Sequence, residues 1–228
     1  FDLANVDWNF RDCYIRLNAV DGILFSSGSG TPERIAITGT RFDGNGTGVH
    51  ASGAVRALTL VGNDFLNAVT GYAAYFEGQV QGAVIHGNRA KDNFAADYRL
   101  VGTSRGIDFA GNDCEGSPTA LILGCTHSSF HGNILNPDTT TISLGVSFDN
   151  DFGPNRVTAG TPEIGPALVT DTRNTYLGRY YGSAAPVAGS WLKGDFVYND
   201  DPDAADAIGW GCSVAGTPGT WVTGPVYP

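Results

Sequence analysis

Hydrophobic and polar positions alternate in short runs, and the runs recur at a nearly fixed period between residues 34 and 133. A Gly-Asn pair marks each period, at Gly62-Asn63, Gly87-Asn88, Gly111-Asn112 and Gly132-Asn133, with a degenerate first copy at Gly39-Thr40. The steps between these glycines are 23, 25, 24 and 21 residues. A repeat of this length indicates a solenoid or another repeat architecture.

Each period contains two alternating runs, which predict two short strands. One run precedes the Gly-Asn pair, as with Leu58 and Leu60, and the other ends at a second glycine, as in Val49 to Gly53. Alternation with a period of two is typical of a strand with one buried face. Two strands with turns in roughly two dozen residues describe one coil of a parallel β-helix.

The recurring asparagine predicts a ladder through successive coils. Stacked strands lie about 4.8 Å apart, so the amide of one asparagine reaches the asparagine of the next coil, and such ladders stabilise stacked strands. Asparagine also tolerates the left-handed backbone of a tight turn. The alternative is a set of ordinary type I′ hairpin turns, but hairpins would not align the apolar columns around each turn.

The predicted fold is all-β: a right-handed, single-stranded parallel β-helix followed by a small C-terminal β module. We place the coils in residues 1–150, an extended connector or cap in 151–181, and a small β domain for trimerisation or glycan binding in 182–228. The core of so small a module is only marginally stable by itself. We therefore expect the module to pack against the β-helix or against partner subunits. We also expect the chain to be the C-terminal part of a longer protein.

Composition excludes several functions. The net charge of −10 argues against a nucleic-acid partner, because phosphate binding needs Lys and Arg. No apolar run reaches 18 residues, which argues against membrane insertion. The four cysteines match no zinc pattern, and we predict neither a metal nor a cofactor. Cys114 occupies a position of the repeat that is predicted to point into the core, and Cys13 aligns with it. Buried thiols are therefore favoured over a disulfide.

A candidate sugar-binding patch lies on the outward side of the second strand. One outward column reads His50, Tyr75, Arg99 and Leu121, and Glu77 lies in the column beside it. An aromatic ring packs against a sugar face, Arg pairs with the carboxylate of an acidic sugar, and Glu or His moves protons. The alternative is a polar solvated wall or a subunit interface.

Candidate catalytic carboxylates are Glu77, Asp108 and Asp64. Glycoside hydrolysis needs two carboxyl groups about 5 to 9.5 Å apart. Each of these residues is alternatively an ordinary turn or surface residue. His86 and His131 share another outward column, and no carboxylate column is evident beside them.

Tryptophans of the C-terminal module are further candidates for sugar contacts. Trp191, Trp210 and Trp221 are predicted to stack on sugar rings, as in carbohydrate-binding modules. The alternative is that they form the core of the module, since aromatic side chains bury the most area per residue.

The chain resembles two groups of proteins. The coils, over roughly residues 1–150, resemble the pectate-lyase-like right-handed β-helix superfamily. The tail, with Gly189-Ser190-Trp191, Lys193-Gly194-Asp195, Val197-Tyr198-Asn199 and Ala215 to Trp221, resembles a segment that closes many bacteriophage tailspike and tail-fibre proteins. This resemblance implies an extracellular homotrimer on the virion tail that recognises, and often depolymerises, a bacterial surface polysaccharide. It leaves open whether this chain is a glycoside hydrolase, a polysaccharide lyase or no enzyme.

Two other functions remain open. The chain is alternatively a non-enzymatic fibre shaft and trimerisation piece, or a secreted bacterial polysaccharide lyase or epimerase of the same fold. The Asp-Pro-His-Asp motif of β-helix mannuronan epimerases is absent, and so is a cluster of calcium-binding aspartates like that of pectate lyases. Those two activities are therefore disfavoured.

Overall fold

The computed structural model describes residues 7–26, 31–138, 140–144, 150–153, 155–157, 175–176, 180–182, 184–185, 187, 193–199, 206–216 and 219–225. These residues form an all-β protein, a parallel β-solenoid of about five turns followed by a small C-terminal sheet, as the sequence predicted. In this part of the chain no helix is long and apolar enough to span a membrane.

Three parallel sheets make the wall of the solenoid. Sheet A consists of β1 (Trp8–Arg11), β4 (Glu33–Thr38), β7 (Val55–Val61), β10 (Val80–Gln81), β11 (Val84–His86), β14 (Asp108–Ala110), β17 (Ser129–His131), β20 (Asp151–Phe152) and β22 (Thr175–Tyr176). Sheet B consists of β2 (Tyr14–Arg16), β5 (Arg41–Asp43), β8 (Asp64–Leu66), β12 (Arg89–Lys91), β15 (Asp113–Glu115), β18 (Ile134–Asn136) and β21 (Arg156–Val157). Sheet C consists of β3 (Asp21–Phe25), β6 (Thr47–Ala51), β9 (Tyr72–Phe76), β13 (Ala96–Leu100), β16 (Thr119–Leu123) and β19 (Thr140–Leu144).

The C-terminal sheet contains β23 (Tyr180–Gly182), β24 (Phe196–Asn199), β25 (Gly209–Val214) and β26 (Thr220–Thr223). Strands β24, β25 and β26 are antiparallel neighbours, whereas β23 runs parallel to β24. Strands β20, β21 and β22 extend sheets A and B beyond residue 150. The wall of the solenoid therefore continues into the range predicted as a connector, and the predicted domain boundaries remain predictions.

A regular coil has three strands, not the two that alternation predicted. The third strand lies in sheet B directly after the asparagine and is only three residues long, as in β8 and β12. Such a strand presents a single inward residue, so it is too short to show alternation. Its inward column is nevertheless buried, with Phe42, Phe65, Ala90, Cys114 and Leu135 at most 1% exposed.

The asparagine ladder is confirmed. Nδ2 of Asn63 donates to Oδ1 of Asn88 at 2.9 Å, and the same bond joins Asn88 to Asn112 at 2.9 Å and Asn112 to Asn133 at 3.1 Å. The ladder continues to Asn155. The backbone N–H of each asparagine also donates to the Oδ1 of the next coil, as from Asn63 to Asn88 at 3.0 Å. The ladder therefore satisfies buried main-chain groups that the turns would otherwise leave without partners.

The register predicted for the first coil was wrong by two residues. Phe10 lies opposite Ile37, in the column that leads through Leu60 and Ile85 to Phe109. The predicted alignment of Cys13 with Cys114 puts Trp8 there instead, because Trp8 precedes Cys13 by as many residues as Phe109 precedes Cys114. Cys13 is consequently not level with Cys114. A shift of two residues keeps every side chain on the same face of a strand, so hydrophobic alternation does not distinguish the two registers.

The cysteines agree with the thiol interpretation. All four are free, and Cys114, Cys125 and Cys212 are buried. Burial raises the pKa of Cys125 to about 11, so this thiol stays protonated at neutral pH.

One turn position allows a reciprocal test of backbone strain. Ala57 and Gly82 lie at the same level of neighbouring coils, and both are left-handed, with φ of 51° and 67°. A left-handed backbone costs a residue with a Cβ about 1 kcal/mol relative to glycine. We expect Ala57→Gly to raise the free energy of unfolding by about that amount. Gly82→Ala is the matched control and should lower it similarly, since a Cβ there meets no atom within 4 Å. Denaturant unfolding measures both, and changes of the same sign would contradict the prediction.

Candidate functional site

Six side chains from neighbouring coils form a connected group on the outward face of sheet C. We call this group, which comprises Asp21, His50, Tyr72, Tyr75, Glu77 and Arg99, the C-face cluster. His50 lies on β6, Tyr75 on β9 and Arg99 on β13, and the parallel register places the three side by side. The structure thus brings together His50, Tyr75, Glu77 and Arg99, which sequence alternation had placed on one patch.

Tyr75 is stacked between two neighbours. The ring of His50 lies 4.8 Å from it, centroid to centroid, with 6° between the planes, and the guanidinium carbon of Arg99 lies 4.9 Å from its centroid. Because β6 and β13 lie on opposite sides of β9, these neighbours cover opposite faces of the ring. These contacts leave less of the ring face for a sugar, and sugar binding by Tyr75 remains a prediction.

His50 lies between two carboxylates. Its Nδ1 is 3.2 Å from Oδ2 of Asp21, and its Nε2 is 3.4 Å from Oε2 of Glu77. The side chain of Asp21 is 8% exposed, that of His50 is 18% exposed and that of Glu77 is 55% exposed. A chain of carboxylate, imidazole and carboxylate thus runs from the protein wall to solvent. Asp21 orients the imidazole, and Glu77 forms the solvent-facing end.

Arg99 is held inside the cluster by aromatic residues. Its Nη1 donates to Oη of Tyr72 at 2.9 Å, and its guanidinium carbon lies 5.6 Å from the Tyr72 ring centroid. The Tyr72 and Tyr75 rings are themselves 5.0 Å apart. Packing over two aromatic rings stabilises a cation but also covers it. The guanidinium thus has one hydrogen bond and two ring contacts inside the cluster, while its pairing with an acidic sugar remains a prediction.

Tyr75 keeps its proton in this environment. Burial raises the pKa of its hydroxyl, nearby Arg99 opposes the shift, and Glu77 adds to it. The hydroxyl therefore acts as a hydrogen-bond donor rather than as a base at neutral pH.

The fourth residue of the predicted column was wrong. Ile122, not Leu121, pairs with Arg99, whereas Leu121 pairs with Tyr98 and is buried. The spacing between strands is one residue longer in this coil than in the alignment, and a shift of one residue turns the opposite face outward.

The three candidate catalytic carboxylates lie on different sides of the solenoid. Glu77 follows β9 of sheet C, Asp108 lies in β14 of sheet A, and Asp64 lies in β8 of sheet B, level with Arg41 and Arg89. They do not share one face, so the structure does not bring them together as a carboxylate pair.

A second polar group, the His-Asp-His cluster, lies on sheet A and comprises His86, Asp108 and His131. Nε2 of His86 is 2.9 Å from Oδ2 of Asp108, although not aligned for a hydrogen bond, and Nε2 of His131 is 3.2 Å from Oδ1. Ala110 separates the two histidines within their column, and its small side chain leaves room for the diagonal contact. The sequence showed no carboxylate column beside these histidines, and the contact comes from one diagonal neighbour, Asp108, whose neighbours in its own column are Val84 and Ser129.

Among the described residues, no three His, Cys, Asp or Glu side chains are arranged to hold a metal ion. Trp191 lies outside the described residues. Trp210 and Trp221 are partly buried against the apolar core and lie level with Val197 and Cys212. Their role in sugar binding remains a prediction.

Sequence reasoning missed two members of the C-face cluster, Asp21 and Tyr72. Asp21 begins β3, where it pairs with Thr47 while Leu24 pairs with His50, so the register alone does not bring its side chain to His50. Tyr72 begins β9, whose pattern is irregular because Ala73 and Ala74 are both buried. Nothing in the alternation of that strand indicates where Tyr72 lies.

No protein-family model matches this chain, and no curated protein matches it.

Proposed function

We propose that this chain is part of a bacteriophage tailspike that binds a bacterial surface polysaccharide at the C-face cluster. The observation that carries the proposal is the concentration of imidazole, phenol, carboxylate and guanidinium groups from neighbouring coils in one connected patch. Side chains at strand spacing along the outside of a solenoid offer repeated contacts to a long repetitive ligand. The resemblance of residues 182–228 to tailspike closing segments supports the phage assignment.

The proposed protein acts as an extracellular homotrimer on the virion tail. Its C-terminal sheet is small, and a core of that size is marginal without further packing partners. We expect light scattering of the purified chain to give about three times the chain mass of 23.9 kDa. A monomer mass at micromolar concentration would contradict the trimer.

A second candidate function, cleavage of the bound polysaccharide, is favoured by the carboxylate contacts of His50. A buried aspartate that orients an imidazole is the arrangement that general acid–base catalysis uses. In this arrangement Asp21 is the positioning residue. The His50–Glu77 pair supplies a base that takes a proton from the attacking water and an acid that protonates the oxygen of the leaving sugar as the glycosidic bond breaks. Incubation with polysaccharide followed by size-exclusion chromatography tests the activity, and unshortened chains would leave binding as the only function.

Binding is tested with a substitution in the C-face cluster and a matched one elsewhere. His50→Ala removes the ring that covers Tyr75 and the partner of both carboxylates, so we expect at least about tenfold weaker binding, or 1.4 kcal/mol. His131→Ala, on sheet A, is the matched control and should bind as the parent does. A panel of O-antigen and capsule polysaccharides identifies the ligand, and calorimetry then measures affinity. Equal losses in the two variants, or none in His50→Ala, would place the binding surface elsewhere.

A further inference from the structure

The accessible charge of the C-face cluster is negative. Glu77 is its most exposed ionised group, with 55% of the side chain accessible, while the other carboxylate, Asp21, is 8% exposed. The arginine of the cluster, Arg99, is half-buried and packs over the rings of Tyr72 and Tyr75. A ligand that approaches from solvent therefore meets a carboxylate before it meets a positive charge.

The exposed groups are suited to sugar hydroxyls. A carboxylate accepts strong, charge-assisted hydrogen bonds, so neighbouring hydroxyls of a sugar ring can donate to Glu77. The hydroxyl of Tyr75 retains its proton and acts as a donor, whereas the contacts with His50 and Arg99 leave less of its ring face for stacking. Recognition at this surface thus depends on hydrogen bonds rather than on aromatic stacking.

An acidic polysaccharide is disfavoured both locally and at long range. A ligand carboxylate beside Glu77 is repelled as a like charge, whereas the guanidinium of Arg99 is half-buried and donates to Tyr72. The whole chain carries a net charge of −10, which slows the approach of a polyanion, and salt screens this repulsion.

From these observations we infer that the polysaccharide recognised by the C-face cluster is uncharged. The inference rests on the proposed function and specifies its ligand class. It also disfavours cleavage by β-elimination at this site, since that reaction needs a uronic acid, whose carboxylate activates the proton to be removed.

A matched pair of ligands tests the inference. Acidic capsule polysaccharides are compared with their own carboxyl-reduced forms, which keep the linkages and lose the charge, and neutral O-antigens complete the panel. In 50 mM NaCl we expect an uncharged polysaccharide to bind at least tenfold more tightly than its acidic parent. In 500 mM NaCl the difference should narrow, because added salt screens the repulsion.

The Glu77→Gln variant tests whether Glu77 causes the preference for the uncharged polysaccharide. It should weaken binding of the uncharged polysaccharide severalfold and strengthen binding of the acidic parent. The ratio between the two affinities should therefore fall toward one. Glu115→Gln, on sheet B, changes the net charge by the same amount and should leave the preference intact, which separates the local carboxylate from the total charge.

The outcomes are distinguishable. Tighter or equal binding of the acidic parent overturns the inference and leaves the proposed function standing. An unchanged preference in Glu77→Gln also overturns it. Binding of neither ligand class overturns the proposed function, and the inference with it.

Discussion

Replacing Asn112 by alanine is expected to lower the free energy of unfolding by about 4 kcal/mol. Oδ1 of Asn112 accepts bonds from N and Nδ2 of Asn88, at 3.0 and 2.9 Å, and its Nδ2 donates to the carbonyl of Ile85 at 2.8 Å. Alanine leaves these groups buried without their partner, and each orphaned group costs about 1–3 kcal/mol. The loss is large because one side chain serves two neighbouring coils.

Asn136→Ala is the control for the Asn112 prediction. Asn136 lies on sheet B of the same solenoid but points outward, so its substitution should change the free energy of unfolding by no more than about 0.5 kcal/mol. Denaturant unfolding followed by circular dichroism measures both variants. If the two lose the same stability, the ladder is a consequence of the stacked coils rather than a cause of their stability.

The ladder illustrates why much of this fold can be predicted from sequence. A Gly-Asn pair at a nearly constant period, with apolar residues at fixed offsets, is compatible with stacked coils and with few other folds. The short strands of sheet B and the register of the first coil could not be predicted from this repeat. A three-residue strand carries too little alternation, and a shift of two residues leaves every side chain on its face.

The membership of the C-face cluster could be predicted better than its chemistry. Alternation identified His50, Tyr75 and Arg99 as outward neighbours, and the register confirms it. Alternation does not show, however, which rotamers the side chains adopt. Whether the Tyr75 ring presents a face or an edge to solvent depends on the rotamers of its neighbours, as does the diagonal contact between Asp108 and the histidines of sheet A.

Asp97 presents a different case, a buried acid within the solenoid wall. Its Oδ1 accepts bonds from Nδ2 of Asn93 at 2.8 Å and from Oγ of Ser117 at 2.6 Å, whereas its Oδ2 is buried with no hydrogen-bond partner among the described residues. Burial raises the pKa of Asp97 well above its ordinary value of 3.8, although the bonds from Ser117 and Asn93 oppose the shift. The folded protein therefore binds this proton more tightly than the unfolded chain.

The sign of the pH dependence follows from that difference. Below pH 3.8 the group is protonated in both states and costs no charge burial. As the pH rises from there toward the pKa of the folded state, the unfolded chain releases the proton first, so the stability contributed by this group falls. At neutral pH the unfolded chain has already released this proton, so the folded protein carries a penalty for the buried acid.

Two substitutions of Asp97 should therefore act in opposite directions. Asp97→Asn keeps the acceptor for Asn93 and Ser117 and removes the ionisable group, so at pH 7 we expect a gain of about 1 kcal/mol, within the range of stabilising substitutions. The gain should vanish as the pH approaches 4. Asp97→Ala orphans both donors and should cost about 3 kcal/mol. Unfolding measured from pH 4 to pH 8 tests both, and a constant difference between Asp97→Asn and the parent would show that the charge of Asp97 carries no penalty.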